Sequence, residues 1–294
     1  MYNAVDSVTP AMQAQMVQEE QAAESLIPVE SRARRLLQDW LPPILALALL
    51  IGGWAGFVYW QHIDPLIFPS PGDVAVASKD NAGDLATALR STLQDAFFGL
   101  LLSIVLGIGV AVIMVQSKIL ERAIYPYTTL AQTIPIFAIA PLIDNVVGGG
   151  HTAIVLVSLI IAVFPIIANS ALGLNSVESN QINLFQMYNA SRFQQLFHLR
   201  IPYAIPYMLT GIRVSSGLAI IGAIVGQVLL GNGGPDGGGL GYEMQYAAHN
   251  GDWGLLGASA LFAAFLGIAV FIVLGVISTL ILRNWHESAI THEN

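Results

Sequence analysis

The chain has 294 residues, 10% of them charged and 55% hydrophobic, with 11 basic against 19 acidic side chains and a formal charge of −8. Soluble domains carry about 25% charged residues, so a single soluble globule is excluded. Without a basic stripe to neutralise phosphates, the composition also argues against nucleic acid as a partner. Cysteine is absent, which removes disulfide scaffolds, thiolate metal sites and cysteine nucleophiles.

Residues 1–39 form an acidic, Gln- and Ala-rich tail ending near Arg32, Arg34 and Arg35. They lack the positive start and short apolar run of a cleaved signal peptide. Six stretches then contain no Asp, Glu, Lys or Arg: 40–63, 96–117, 123–143, 145–177, 214–235 and 253–282. A bilayer core of about 30 Å needs about 20 helical residues, so the expectation is an all-α polytopic membrane protein with six transmembrane helices. Region 40–91 holds the first span and an outward loop, 92–283 a core with the other five, and 284–294 a C-terminal tail.

In the outward loop, Pro65, Pro69 and Pro71 predict an extended bend, and Leu85 and Leu89 mark an amphipathic helix. The outward connections 143–152 and 231–253 are Gly-rich and lack Lys and Arg. Arg32, Arg34, Arg35, Lys118, Arg122, Arg192, Arg200 and Arg283 fall on the opposite side, and the positive-inside rule places both termini in the cytoplasm.

Residues 178–206 lie on that cytoplasmic side. Apolar positions Leu184, Met187, Tyr188, Leu196 and Leu199 predict one amphipathic helix over 181–200, stopped by Pro202 and Pro206. A transporter driven by a separate soluble subunit needs such an inward element; a helix lying on the lipid headgroups is the other reading.

Polar residues inside spans are candidates for a translocation route, because in hydrocarbon they need partners or water. These are Gln132 and Thr133 in the third span, Asn169 in the fourth, and Arg213, Ser215, Ser216 and Gln227 in the fifth. Arg213 suits attraction of an anionic substrate, snorkelling to headgroups or clamping the inward helix. Small-residue pairs Gly52/Gly56, Gly107/Gly109 and Gly222/Gly226 predict close helix packing.

Asn189-Ala190-Ser191-Arg192, followed by Leu199-Arg200-Ile201-Pro202, resembles the cytoplasmic signature of ABC importer permeases, in which a Gly is followed ten residues on by an aliphatic residue and then by x-Leu-Pro. Here the family's Glu-Ala-Ala falls on Asn183-Leu184-Phe185, and Asn189 replaces the turn glycine. Asn tolerates the left-handed conformation that such a turn requires. Phe68-Pro-Ser-Pro71, the 134–141 run, Phe164-Pro165, Pro206 to Arg213 and Gly239-Leu-Gly-Tyr242 are further landmarks. They are similar to the subgroup serving nitrate, sulfonate, taurine, bicarbonate and thiamine-pyrimidine or riboflavin-type uptake.

The resemblance implies a type I (MetI-like) permease in a prokaryotic inner membrane. It implies that the coupling helix docks in an ATPase subunit through Asn183, Leu184, Phe185, Asn189, Ala190, Ser191, Arg192, Leu199, Ile201 and Pro202. A solute-binding protein and a second permease, identical or paralogous, are the other implied partners, together with the lipid bilayer.

No phosphate-binding loop of the form G-x-x-x-x-G-K-[ST] occurs, and the six histidines are scattered. The expectation is a transport subunit with no catalytic site, metal or cofactor of its own. An ion-coupled secondary transporter would show intramembrane carboxylates, and none of the charge-free runs contains one. A non-transporting membrane scaffold or sensor is the second alternative. The tail residues Trp285-His-Glu-Ser288 are similar to permeases for pyrimidine or riboflavin-type cargo.

Overall fold

A computed structural model describes residues 32–65, 67–231 and 238–283. The acidic tail 1–31 and the C-terminal tail 284–294, with Trp285-His-Glu-Ser288, lie outside the described residues. The chain divides into two compact units, one ending at Gln61 and one beginning at His62. The first is α1 (Arg32–Trp60), whose Leu41–Trp60 stretch is long and apolar enough to cross a membrane.

In the second unit, α2 (Pro71–Asp80) opens on a capping box. The Asp73 N–H donates to the Ser70 hydroxyl at 3.2 Å, and the Ser70 N–H donates to the Asp73 carboxylate at 2.8 Å. These bonds satisfy donors left open at a helix start, and Pro71 in the first turn loses nothing by lacking an N–H. Then follow α3 (Ala82–Val115) and α6 (Gly150–Asn175). The amphipathic helix expected around Leu85 and Leu89 is the outer end of α3. At 34 residues it is ~51 Å long and projects well beyond a hydrocarbon core.

The third expected span, 123–143, is two helices: α4 (Lys118–Ala131) and α5 (Ile136–Val147). The break falls at Gln132-Thr133-Ile134-Pro135, where proline offers no N–H and biases Ile134 away from helical geometry. With 14 and 12 residues, neither half reaches ~30 Å alone. Five continuous apolar helices and one divided pair therefore replace six uniform spans among the described residues.

Segment 178–206 also departs from expectation. In place of one helix over 181–200 there are α7 (Ser179–Met187), a turn, α8 (Arg192–Gln195), a π-turn over Leu196–Arg200, and α9 (Ile201–Leu230). Neither Pro202 nor Pro206 stops the helix, which is continuous from Arg192 to Leu230 over 39 residues. A proline ring clashes with the carbonyl four residues back in a regular α-turn. Here the Ile201 N–H donates to the Leu196 carbonyl five residues back, and the widened turn makes room for Pro202.

Segment 231–253 contains α10 (Gly239–Asn250), and α11 (Trp253–Leu282) is the last described helix. The bundle centres on α6 packed against α9 and α3. A methyl group on Gly222 would come within 2.6 Å of Ser158 Cα, so α9 and α6 meet almost backbone to backbone. The other expected small-residue contacts divide. Gly107 and Gly226 pack tightly against Ile166 and Ile154, whereas Gly52, Gly56 and Gly109 face open space.

Candidate coupling element and translocation route

The segment between α6 and α9 is built around Asn189, whose φ of 51° is the left-handed conformation that the glycine position of the signature demands. Two residues on, the Ser191 hydroxyl accepts from the Gln194 N–H at 3.3 Å, and the Ser191 N–H donates to Gln194 Oε1 at 2.7 Å. This capping box restarts the helix. The Gln195 amide donates to the Ala190 carbonyl at 3.1 Å, fixing the turn from the other side.

The signature residues have two different environments. Leu199 is buried, and Phe185, Ala190, Ile201 and Pro202 are half-buried. Leu196 joins a core cluster with Met114, Ile167, Leu174 and Met208, against which Ile201 packs. This anchors the element to α3, α6 and α9. Asn183, Leu184, Asn189, Ser191 and Arg192 are exposed. Beside them stand Met187 at 80%, Tyr188 at 81%, Phe193 at 74% and Phe197 at 59% exposure. Phe193 and Phe197 were not singled out from sequence; their signal is an aromatic pair four residues apart on one helix. A cluster of large apolar side chains at one end of a bundle marks a contact surface.

The polar span residues occupy three separate places. Gln132 lines a cavity of about 210 Å³ with Phe164, Pro165 and Leu218 at the α4–α5 break. The Thr133 hydroxyl donates to the Leu130 carbonyl at 2.7 Å. The Asn169 amide donates to the Pro165 carbonyl at 2.8 Å, one turn from that cavity. Irregular backbone at membrane depth is tolerated where it is covered by protein or lines a watery path.

Arg213 and Ser216 lie elsewhere. The Arg213 guanidinium carbon sits 4.1 Å from the centre of the Phe271 ring on α11, a cation–π contact. The Ser216 hydroxyl donates to the Arg213 carbonyl at 2.7 Å, and Ser216 borders an otherwise apolar groove between α3, α9 and α11. Ser215 is buried, its hydroxyl without a hydrogen-bond partner.

Gln227 is fully buried at the end of the bundle away from Asn189. Its amide N–H donates to Asp95 Oδ2 at 2.8 Å. Its Oε1 accepts from the Gly241 N–H at 3.2 Å and the Thr92 hydroxyl at 2.9 Å. The Thr92 oxygen accepts in turn from the Leu240 N–H at 2.9 Å, and Asp95 Oδ1 lies 2.8 Å from the half-exposed His151 ring. The network joins α3, α6, α9 and the start of α10. It closes tightly because Gly239, at φ +84°, has no side chain to collide with Gln227. Asp95 is 2% exposed and lies well inside α3, although the charge-free run begins only at the next residue. This buried carboxylate was invisible to a scan for uncharged stretches.

In α10, burial pushes the Glu243 carboxyl above its ordinary pKa, with the nearby negative charge of Asp84 adding to the effect.

The divided third span, the capped inward turn and the long helix running out of it define an all-helical membrane transport subunit. The model of the family described as "Binding-protein-dependent transport system inner membrane component" matches residues 103–292, and the chain belongs to that family. It is 37% identical over 171 residues to the formylaminopyrimidine transport permease protein ThiX of Halalkalibacterium halodurans, covering 58% of this chain and 68% of that protein. To the riboflavin transport system permease protein RibX of Chloroflexus aurantiacus it is 28% identical, covering 88% and 97%. To the taurine transport system permease protein TauC of Escherichia coli it is 28% identical, covering 88% and 94%. An inward-facing MetNI methionine ABC transporter structure shares the fold with a TM-score of 0.59 at 16% identity, over 67% of this chain and 95% of that chain. The chain is thus an ABC importer permease subunit, a transport component that works with an ATPase and a binding protein.

Proposed function

We propose that this permease imports a small anion or a pyrimidine- or riboflavin-type vitamin precursor, with both termini in the cytoplasm and two permease copies, or this chain and a paralogue, enclosing the route. The cargoes of the relatives support the substrate class. The distribution of Lys and Arg supports the orientation. The hollows described along the bundle's spans are small or apolar, in keeping with a paired assembly.

The ATPase grips α7, the Asn189 turn and α8, with Asn183, Leu184, Ser191 and Arg192 at the contact and Met187, Tyr188, Phe193 and Phe197 extending it. Leu199, Ile201 and Pro202 pass the movement into α9, and Phe185 and Ala190 keep the turn in place. Gln132, Thr133 and Asn169 face the route at the α4–α5 break, Arg213 and Ser216 steady α9 against α11, and Gln227 holds the outer end. The subunit carries out no chemistry of its own.

The left-handed Asn189 beside an exposed apolar cluster is the observation that carries this reading. The test is a cysteine series over 183–193 in the assembled transporter. Disulfide cross-links from these positions to the ATPase, together with labelling from the cytoplasmic side alone, are expected. Labelling from outside would overturn the orientation, and absence of any cross-link would overturn the docking role.

A further inference from the structure

A cavity of about 560 Å³ opens where α3 turns into α4, between that turn, the last turn of α6 and the coupling segment. Its wall carries Lys118, Arg192 and Arg200 against one carboxylate, Glu121, a surplus of two positive charges. Both oxygens of Glu121 are engaged: one lies 3.7 Å from Lys118 Nζ, and the other accepts from the Asn175 amide at 3.2 Å. Arg200 is held in place by Nη1, which lies 3.3 Å from the Leu174 carbonyl and 3.4 Å from Asn175 Oδ1. Its other donors remain for a ligand.

The chain places these cations around a hollow, where solvated charges would spread apart. Two guanidinium groups and an ammonium suit a tetrahedral oxyanion. The guanidinium fork matches paired phosphate oxygens, and a phosphate monoester carries about −1.5 to −2 charges at neutral pH, close to the surplus on the wall. The helices α4 and α7 both begin at this wall, with Lys118 and Ser179 in their first turns. The positive ends of their helix dipoles add to the same potential.

We propose that this cavity is a binding site for a phosphate-bearing anion, offered either by a soluble cytoplasmic compound or by an anionic lipid headgroup. Arg192 belongs to α8 and Arg200 to the π-turn, so an occupant bridging them to Lys118 fixes the angle at which the coupling segment leaves the bundle. The cytoplasmic assignment rests on the orientation proposed above; the existence of the site does not.

The test uses the permease assembled with its ATPase in nanodiscs, where both faces are open to solvent and orientation has no bearing on the result. In phosphatidylcholine discs, inorganic phosphate is titrated by calorimetry. In discs with one quarter phosphatidylglycerol, bound lipid is counted by native mass spectrometry after detergent release. Saturable phosphate binding that weakens at least tenfold in Arg200→Gln supports the site with a soluble ligand. Retained phosphatidylglycerol that is lost in Arg200→Gln, without phosphate binding, supports the site with a lipid ligand. If Arg200→Gln fails to assemble, Lys118→Gln serves in its place. Phosphate and lipid binding that are both absent, or both indifferent to these substitutions, overturn the proposal.

Discussion

Asp95 and Gln227 are 132 positions apart in the chain, yet their side chains meet at 2.8 Å in a fully buried contact. The carboxylate has His151 on its other oxygen, and the amide has Thr92 and Gly241. Removing either partner strands a buried polar group, which is costlier than losing the bond itself. Gln227→Leu is expected to destabilise the bundle by about 3 kcal/mol, in the range for breaking a buried charged contact, and to loosen α10. Thermal unfolding and protease sensitivity near residues 231–250 check this. A variant as stable as the parent would show that the network carries little energy.

Asn189 is the position at which the signature departs from glycine. Asn189→Gly is expected to preserve assembly with the ATPase, because glycine adopts φ of 51° freely. Asn189→Val places a β-branched side chain in that region and is expected to cost about 1–2 kcal/mol locally, enough to collapse the turn. Co-purification of the ATPase with each variant is the readout.

Pro202 acts through the turn before it. With Pro202→Ala the clash with the fourth preceding carbonyl disappears and the regular ladder is free to close, erasing the π-turn over Leu196–Arg200. Global stability is expected to rise, by no more than the about 3 kcal/mol that separates proline from alanine in a helix interior. The docking face turns about the helix axis relative to α9, and substrate-stimulated ATP hydrolysis is expected to fall at least tenfold. Normal stimulation would show that the phase between α8 and α9 is unimportant.

Glu243 gives a pH dependence of definite sign. Its carboxyl pKa is raised in the fold from an ordinary 4.5, first by burial and then by Asp84. The fold therefore favours the protonated form. That contribution is complete below the ordinary value and is lost as pH rises through the raised one. Glu243→Gln is expected to match the parent in melting temperature in acid, just below pH 4.5, and to exceed it at pH 7. Identical melting curves at both values would contradict the assignment.

Much of the architecture was legible because hydrocarbon imposes a simple rule: no charge for about 20 residues. The long spans follow it. The break at 132–135 was marked by Gln132, Thr133 and Pro135, but a charge count has no means of registering a backbone interruption. The turn at Asn189 was legible because its requirement is local, a left-handed residue at a fixed place in a motif. The passage through Pro202 was not, since whether proline ends a helix depends on the width of the preceding turn, which the residue string does not display. The Asp95 network was hidden for the opposite reason. Its members come from four distant elements, and only folding places the carboxylate against the amide that makes its burial tolerable.

The uninterrupted run from Arg192 to Leu230 has a mechanical consequence. An axle of this kind carries torque from one side of the membrane to the other, as well as thrust. A rotation of about 30° sweeps a side-chain tip at ~5–6 Å radius through ~3 Å, enough to take Gln227 out of hydrogen-bonding reach of Asp95. With the orientation and docking proposed above, a modest twist applied at Arg192 would suffice to unlock the opposite rim.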